Sequence, residues 1–178
     1  MYKRQLEILT FPDPRLRTKA SFVEVFDDEL RIMAENMLHT MYTANGIGLA
    51  ATQVDFHKRL IVIDISENQD EPIFIVNPSF QILDKTIEEY KEGCLSVPKF
   101  FEEIYRPKKI KLSYKDLDGN DKELIAEGVL SVCIQHEIDH LDGKLMVDYL
   151  SPLKRGRIKG KLLKSKTKPK QQIQQRSS

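Results

Sequence analysis

The stretch Gln135-His136-Glu137-Ile138-Asp139-His140-Leu141-Asp142-Gly143 carries the pattern H-E-x-x-H. Apolar residues and the two histidines recur here at three- and four-residue steps without a proline, so the sequence predicts a helix that ends at Gly143. On a helix, His136 and His140 project from one face on adjacent turns and can share one metal ion. Glu137 can then reach a water molecule at that metal. The alternative is a surface helix that carries two histidines by chance.

The third metal ligand must come from another part of the chain, because a catalytic site of this type uses three protein ligands and leaves one position open. In one zincin class the third ligand is a histidine six residues after the second, but Met146 occupies that position here. After His140 the chain contains neither glutamate nor histidine. We therefore expect a ligand from upstream, which excludes the usual metalloprotease arrangements.

The two cysteines are the upstream candidates. Cys133 lies one turn before His136, but the helix rise from Cys133 to His140 is roughly 10 Å, more than a short thiol can span. We expect Cys133 to be apolar lining beside the metal. Cys94 would complete a Cys-His-His site with one free position. If both cysteines bound the metal, the closed four-ligand site would be structural and the protein would be a binding module.

Three motifs resemble those of the bacterial-type peptide deformylases, and the resemblance covers nearly the whole chain. They are Gly46-Ile47-Gly48-Leu49-Ala50-Ala51-Thr52-Gln53, Glu92-Gly93-Cys94-Leu95-Ser96 and Gln135-His136-Glu137-Ile138-Asp139-His140. Their order and spacing are those of the family. The resemblance implies a metal-dependent hydrolase that removes the N-terminal formyl group from formyl-methionine of nascent polypeptides and releases formate. A peptidase is the alternative enzyme, distinguished by internal cleavage of unformylated peptides.

The resemblance also implies metal and catalytic residues. The implied metal ligands are Cys94, His136 and His140. Glu137 would take a proton from the attacking water and return it to the leaving amine. Two N–H donors would stabilise the oxyanion, those of the Gln53 side chain and the Leu95 backbone. Ligand softness permits zinc or iron. The family suggests one divalent ion, Fe²⁺, that Zn²⁺, Ni²⁺ or Co²⁺ can replace.

Further residues implied by the resemblance bind or frame the substrate. Backbone groups that would hold the peptide as an added strand belong to Ile47, Gly48 and Gly93. Side chains that would line the methionine pocket belong to Val129, Val132 and Cys133. The pair that would brace the metal loop is Glu92 and Arg106. The small residues of Gly46–Ala51 lack the third glycine and the lysine of phosphate loops, so close approach of a peptide backbone is the preferred interpretation.

Composition predicts an ordinary globular protein of one domain. The chain has 178 residues, of which 40% are hydrophobic and 31% charged. No apolar run approaches the roughly 20 residues of a membrane span, and the first residues do not form an apolar signal region. Two cysteines do not make a disulfide framework, and a metal-binding thiolate suits a reducing compartment. We expect a cytoplasmic protein without membrane association or specific DNA binding.

The net charge of +1 hides an asymmetry between the body of the chain and its C-terminal end. Residues 154–178 contain ten Lys or Arg and no acid, so 18 basic and 27 acidic residues remain and the body carries −9. We expect a catalytic domain over residues 1–164, including a C-terminal helix, and a basic, disordered tail over 165–178. The basic segment either docks on ribosomal RNA phosphate or only keeps the protein soluble.

The expected fold class is α+β, with antiparallel or mixed β-sheets packed around the central metal-binding helix and with an N-terminal and a C-terminal helix. The N-terminal helix should run from Asp27 or Asp28 to about Ala44. Its buried stripe should contain Leu30, Met33, Met37, Leu38 and Met41. Strands are expected at 59–65, 73–76, 108–117, 121–126 and 145–150. Phe100 and Phe101 either form part of the pocket wall or belong to the core, and the core is the preferred interpretation.

Overall fold

Five strands form one antiparallel sheet in the computed structural model, which describes residues 3–166. The strands lie side by side in chain order: β1 (Gly48–Ala50), β2 (Leu60–Ile63), β3 (Ile73–Cys94), β4 (Val97–Lys115) and β5 (Asp121–Glu127). Three α-helices accompany them: α1 (Asp28–Thr43), α2 (Gly128–Leu141) and α3 (Pro152–Lys166). The predicted α+β class is confirmed, and every pairing between these strands is antiparallel.

Helices α1 and α2 cover opposite faces of the sheet, as the short strand β2 demonstrates. Its residues Ile61 and Ile63 pack in a core cluster with α2, whereas Leu60 and Val62 pack in a second cluster with α1. All four side chains are fully buried. Because successive side chains of a strand point to opposite faces, a strand covered on both sides is apolar throughout. This explains the uninterrupted Leu-Ile-Val-Ile run.

The boundaries of α1 agree with the prediction. The Asp27 carboxylate accepts a hydrogen bond from the Leu30 backbone N–H at 3.1 Å and caps the first turn. The helix ends at Thr43, and Asn45 then adopts a left-handed conformation with φ of 57°. The expected stripe packs on the sheet, although Met33 is only partly buried.

The hairpin of β3 and β4 is much longer than expected. Its pairing extends from Val76 opposite Lys115 to Cys94 opposite Val97, with register shifts at four places. The outer half of β3 is rich in charged residues, so it lacks the apolar alternation by which a strand is recognised. Backbone hydrogen bonds between the two strands hold this part of the hairpin. As a result, Cys94 stands at the hairpin's turn, next to α2.

The segment after α2 differs from the expected strand at 145–150. Residues Met146–Tyr149 form a 3₁₀ turn, and the Asp148 carboxylate accepts a hydrogen bond from the Leu145 backbone N–H at 3.0 Å. Local side-chain capping of this kind competes successfully with strand formation. Within residues 3–166, no helix has the length and apolar character that crossing a membrane requires.

Helix α3 begins as expected and runs slightly further than the proposed domain boundary at residue 164. The Ser151 hydroxyl accepts from the Lys154 backbone N–H at 3.2 Å, and Ile158 and Leu162 are buried. The helix continues to Lys166. The rest of the predicted tail, residues 167–178, lies outside the described residues.

Gly143 is required by a close backbone approach at the end of α2. Its φ is +77°, and an added Cβ would lie 2.6 Å from the Arg17 carbonyl oxygen. Replacing Gly143 with Ala should therefore lower the free energy of unfolding by roughly 1–3 kcal/mol in urea denaturation. Gly156→Ala is the control, because within residues 3–166 no atom beyond its chain neighbours and the adjacent helix backbone lies within 4 Å of its added Cβ. Helix propensity should increase the stability of this variant by up to about 1 kcal/mol. A Gly143→Ala variant that is as stable as the wild type would contradict this account.

Candidate active site

Side chains from the hairpin turn and from α2 converge at one point. The potential metal-binding atoms of Cys94, His136 and His140 all lie within 4.8 Å of one another. His140 Nε2 is 3.3 Å from Cys94 Sγ and 3.1 Å from His136 Nε2. Both histidines are buried on adjacent turns of α2. The structure therefore brings together the three residues that the family resemblance implies as ligands.

This set of donors fits a metal ion. Metal–nitrogen bonds of about 2.0 Å and metal–sulfur bonds of about 2.3 Å place the nitrogen and sulfur ligands of a tetrahedral site roughly 3.3–3.5 Å apart, close to the observed separations. His136 Nδ1 lies 2.8 Å from Glu92 Oε1. Because an ionised carboxylate only accepts hydrogen bonds, Nδ1 carries the proton and Nε2 keeps its lone pair for the metal. Burial is the largest cause that holds the pKa of His140 well below its ordinary value, which favours a neutral imidazole able to bind a metal.

Cys133 lies outside the ligand cluster found among residues 3–166. Its Sγ is 3.9 Å from the Ile47 carbonyl oxygen, on the cleft side of α2. Burial raises the pKa of this thiol well above its ordinary value, so it is neutral near pH 7. A neutral thiol in this position is suited to lining the cleft, and the arrangement does not support a closed four-ligand site.

Glu137 is buried beside the ligand cluster. Its Oε1 lies 3.9 Å from His140 Nε2 and has no hydrogen-bond partner within residues 3–166. Burial raises the pKa of this carboxyl to about 7. An added Cβ on Gly48 would lie only 2.6 Å from Glu137 Oε2. A carboxyl group so placed can take up and release a proton near neutral pH.

The Gln53 side chain is fixed at both ends. Its Oε1 accepts from the Ala50 backbone N–H at 2.9 Å, which orients the amide. Its Nε2 donates to Ser96 Oγ at 3.0 Å and lies 3.7 Å from Cys94 Sγ. Ser96 is a residue that the sequence analysis missed, although it closes the motif that contains Cys94. Leu95 lies between them in the connection from β3 to β4 and lines the cleft.

A cleft of about 550 Å³ opens in front of the cluster. Seven of the eight expected substrate residues line it: Ile47, Gly48, Glu92, Gly93, Val129, Val132 and Cys133. The eighth, Arg106, is not among the lining residues and lies behind Glu92. The expectation that Phe101 belongs to the core is wrong, because its side chain is 62% exposed and lines the cleft. Gly93 makes room for it, since an added Cβ there would lie 2.5 Å from the Phe101 ring.

Glu92 and Arg106 form a buried ion pair behind His136. Arg106 donates from Nε to Glu92 Oε2 at 2.5 Å and from Nη2 to Oε1 at 3.0 Å. Burial opposes ionisation of Glu92, but the hydrogen bonds from His136 and Arg106 outweigh it and hold its pKa below the ordinary value. Arg106 also contacts Asp139 and Tyr149, two residues that the sequence analysis did not single out.

Comparison with known proteins supports the interpretation of the motifs. A family model described as polypeptide deformylase matches residues 5–156. The chain belongs to the polypeptide deformylase family. Peptide deformylases of Stutzerimonas stutzeri and Pseudomonas aeruginosa are each 58% identical over 159 residues, which cover 89% of this chain and 95% of each relative.

Solved structures of family members have the same fold. A peptide deformylase from Legionella pneumophila has a TM-score of 0.87 at 45% identity, and one from Ehrlichia chaffeensis in complex with actinonin has a TM-score of 0.89 at 38% identity. Each match covers 93% of this chain and 99% of the other. Family members are metal-dependent enzymes that remove the N-formyl group from nascent peptides. The family, fold class and enzyme class expected from the sequence are confirmed.

The close approach of Gly48 to Glu137 predicts a specific effect of a single methyl group. Gly48→Ala should keep the fold and the bound metal, but kcat/KM for formyl-Met-Ala should fall by roughly 10–100-fold, because the Glu137 carboxylate and the Cys133 thiol, 2.6 and 2.8 Å from the added Cβ, must move. Gly46→Ala is the comparison, since the three atoms nearest to its added Cβ all belong to the Leu95 side chain, whose end can rotate. The loss of kcat/KM in Gly46→Ala should be smaller than in Gly48→Ala. An unchanged kcat/KM in Gly48→Ala, measured on metal-replete protein, would refute the proposed constraint.

Proposed function

We propose that this protein hydrolyses the formamide bond at the N-terminus of formyl-methionyl peptides, with one divalent metal held by Cys94, His136 and His140. The observation that supports this most directly is the convergence of one thiol and two imidazoles within 4.8 Å, beside a buried carboxyl group and next to an apolar cleft. Three protein ligands leave one coordination position open, as hydrolysis requires.

The proposed ion is Fe²⁺ in the cell, and Zn²⁺, Ni²⁺ or Co²⁺ can replace it. A soft thiolate combined with two imidazoles suits any of these ions and disfavours magnesium or calcium. When bound, such an ion polarises a carbonyl group and lowers the pKa of a water molecule toward about 7.

Glu137 is the proposed general base. Its carboxylate takes a proton from the attacking water and later returns it to the amine that leaves the formyl carbon. Its burial, its unpartnered Oε1 and its pKa of about 7 support this role. A base whose pKa lies near neutral pH can accept a proton in one step and return it in the next.

The oxyanion that develops on the formyl oxygen needs fixed N–H donors. The proposed donors are the Gln53 side-chain amide and the Leu95 backbone. The hydrogen bond from the Ala50 backbone N–H to Gln53 Oε1 supports this assignment, because it turns the amide nitrogen toward Cys94 and Ser96. A pre-oriented donor loses little energy to reorganisation when charge develops in front of it.

The peptide is proposed to bind in the cleft as an added strand. Backbone groups of Ile47, Gly48 and Gly93 would pair with it, and the position of β1 at one end of the strand order supports this arrangement. The methionine side chain would lie against three residues of α2: Val129, Val132 and Cys133. Their apolar surface suits a thioether. Glu92 and Arg106 would brace the metal site from behind.

Formate release from formyl-Met-Ala by anaerobically purified, iron-loaded protein tests the proposed reaction. Glu137→Gln should keep one metal ion per chain but lose formate release by roughly 10²–10⁴-fold, because it removes proton transfer and not ligation. Cys133→Ala is the metal control and should retain the ion.

Near-normal turnover of Glu137→Gln would exclude Glu137 as the base. Loss of metal in Cys133→Ala together with retention in Cys94→Ala would overturn the ligand set. Internal cleavage of unformylated peptides by the wild-type protein would favour the peptidase alternative.

The proposed location is the cytoplasm, and the proposed partner besides the nascent peptide is the ribosome surface. The support is the charge of α3, which exposes Lys154, Arg157 and Lys159 and contains no acid. Contacts between basic side chains and RNA phosphate release counterions, so such attachment should weaken steeply with salt. A purely solubilising role of the same charges is the alternative.

Charge reversal on α3 separates these two roles. The double variant Arg157→Glu/Lys159→Glu should deformylate a free dipeptide normally but co-sediment with ribosomes about tenfold less at low salt. We avoid Lys161, because its Nζ lies 5.9 Å from the centroid of the Phe100 ring. Lys85→Glu/Lys122→Glu is the matched control, with the same change in net charge on exposed strand positions. Wild-type co-sedimentation of both variants would leave α3 with a solubilising role.

A further inference from the structure

A continuous chain of hydrogen bonds leads from the ligand His136 away from the cleft. His136 Nδ1 bonds to Glu92, and Glu92 accepts two hydrogen bonds from Arg106. Glu92 and Arg106 are 6% and 4% exposed, so these charges interact in the protein interior with little screening by water. The orientation of His136 therefore depends on how Arg106 is held.

Two residues that do not line the cleft hold the other side of Arg106. Arg106 Nη1 donates to Asp139 Oδ2 at 3.0 Å, and the Tyr149 hydroxyl donates to the same oxygen at 2.7 Å. The Arg106 Cζ atom also lies 5.1 Å from the centroid of the Tyr149 ring. The guanidinium is thus fixed between two carboxylates and against one aromatic face.

We propose that Asp139 and Tyr149 are positioning residues that set the metal affinity of the site through Arg106 and Glu92. This inference rests on the proposed metal site. It assigns no contact with the substrate to either residue.

The charges explain why Asp139 matters. Arg106 carries one positive charge, and Glu92 and Asp139 each carry one negative charge. Asp139 balances Arg106, so Glu92 retains negative charge for the N–H of His136. A carboxylate that accepts from the far nitrogen of a ligating histidine fixes the ring and makes it a stronger ligand. Without Asp139, Arg106 would neutralise Glu92 alone and weaken this interaction.

The geometry explains why Tyr149 matters. Asp139 lies three residues after His136 on α2, so the hydrogen bonds leave α2, pass through β3 and β4, and return to α2 one turn later. Asp139 lies at the end of this hydrogen-bond chain nearest to solvent, and its side chain is 18% exposed. The Tyr149 hydroxyl keeps the Asp139 carboxylate on Arg106 and not in solvent.

Co²⁺ binding, measured by competition with a chromophoric chelator, tests the proposal. Asp139→Asn should weaken Co²⁺ binding by about tenfold or more, the scale of a lost outer partner of a ligand. Tyr149→Phe should weaken it by about threefold, because one hydrogen bond is lost while the ring stays on Arg106. The thiolate-to-cobalt absorption band should persist in both variants, since the ligands themselves are unchanged.

Asp142→Asn is the matched control. Asp142 follows the same helix and also pairs with an arginine, with Arg59 Nη1 3.0 Å from its Oδ1, but it does not belong to the hydrogen-bond chain. Its Co²⁺ affinity should equal that of the wild type. The melting temperature of every metal-free variant should be recorded, so that a general loss of stability can be separated from a change at the metal.

A double-mutant cycle tests whether the effect passes through Glu92. In a Glu92→Gln background, Arg106 keeps its partner Asp139, but the link to His136 is altered. The threefold effect of Tyr149→Phe should disappear there, whereas a merely structural role would give the same loss in both backgrounds.

Three outcomes would overturn the inference: unchanged Co²⁺ affinity in both variants, an equal loss in Asp142→Asn, or an additive cycle. Each of these presupposes that the wild type binds one Co²⁺ per chain. Failure of the wild type to bind the ion would instead overturn the proposed metal site.

Discussion

The contact between Cys94 and His140 joins positions 46 residues apart, and the strands and the helix between them hold these two residues together. The strands β3 and β4 pair along most of their length, which places the turn of the hairpin beside α2. Strand β5 then leads directly into Gly128, where α2 begins. The helix itself sets the spacing of the two histidines. The distance between α2 and the sheet must also be set, and an apolar core that includes Ile110 and Ile134 fixes that distance.

Placing a polar site inside a protein requires partners for its groups, because a buried polar atom without one is costly. Residues of the helix and of the neighbouring strands supply most of these partners. The Gln135 side chain, for example, donates to Ser131 Oγ at 3.0 Å and to the Pro107 carbonyl oxygen at 3.1 Å. Of the four buried side-chain atoms without a partner among residues 3–166, two belong to Glu137 and His140. Glu137 Oε1 lies beside the proposed metal site, whereas the unpartnered atom of His140 is Nδ1, the ring nitrogen opposite the ligating Nε2.

The sequence predicted those features that local chemistry determines. Capping at Asp27 and the spacing of apolar residues indicated α1, and the spacing of His136 and His140 indicated a shared site. The outer half of the β3–β4 hairpin was missed because its stability comes from pairing with a partner strand and not from an apolar pattern of its own. The contacts of Ser96 and Asp139 were missed for a related reason. Each lies inside a motif, but its partner is brought near only by the tertiary fold.

The place of β1 at one end of the sheet has a consequence for selectivity. A peptide that pairs with this three-residue strand would be held through main-chain groups, which are the same in every amino acid. Such pairing reads the direction and extension of a chain and ignores its side chains. Selectivity then depends on the end of the peptide that reaches Glu137. The peptide residues that follow add affinity without sequence preference. A site built in this way suits a modification of the N-terminus of newly made proteins, whatever their sequence.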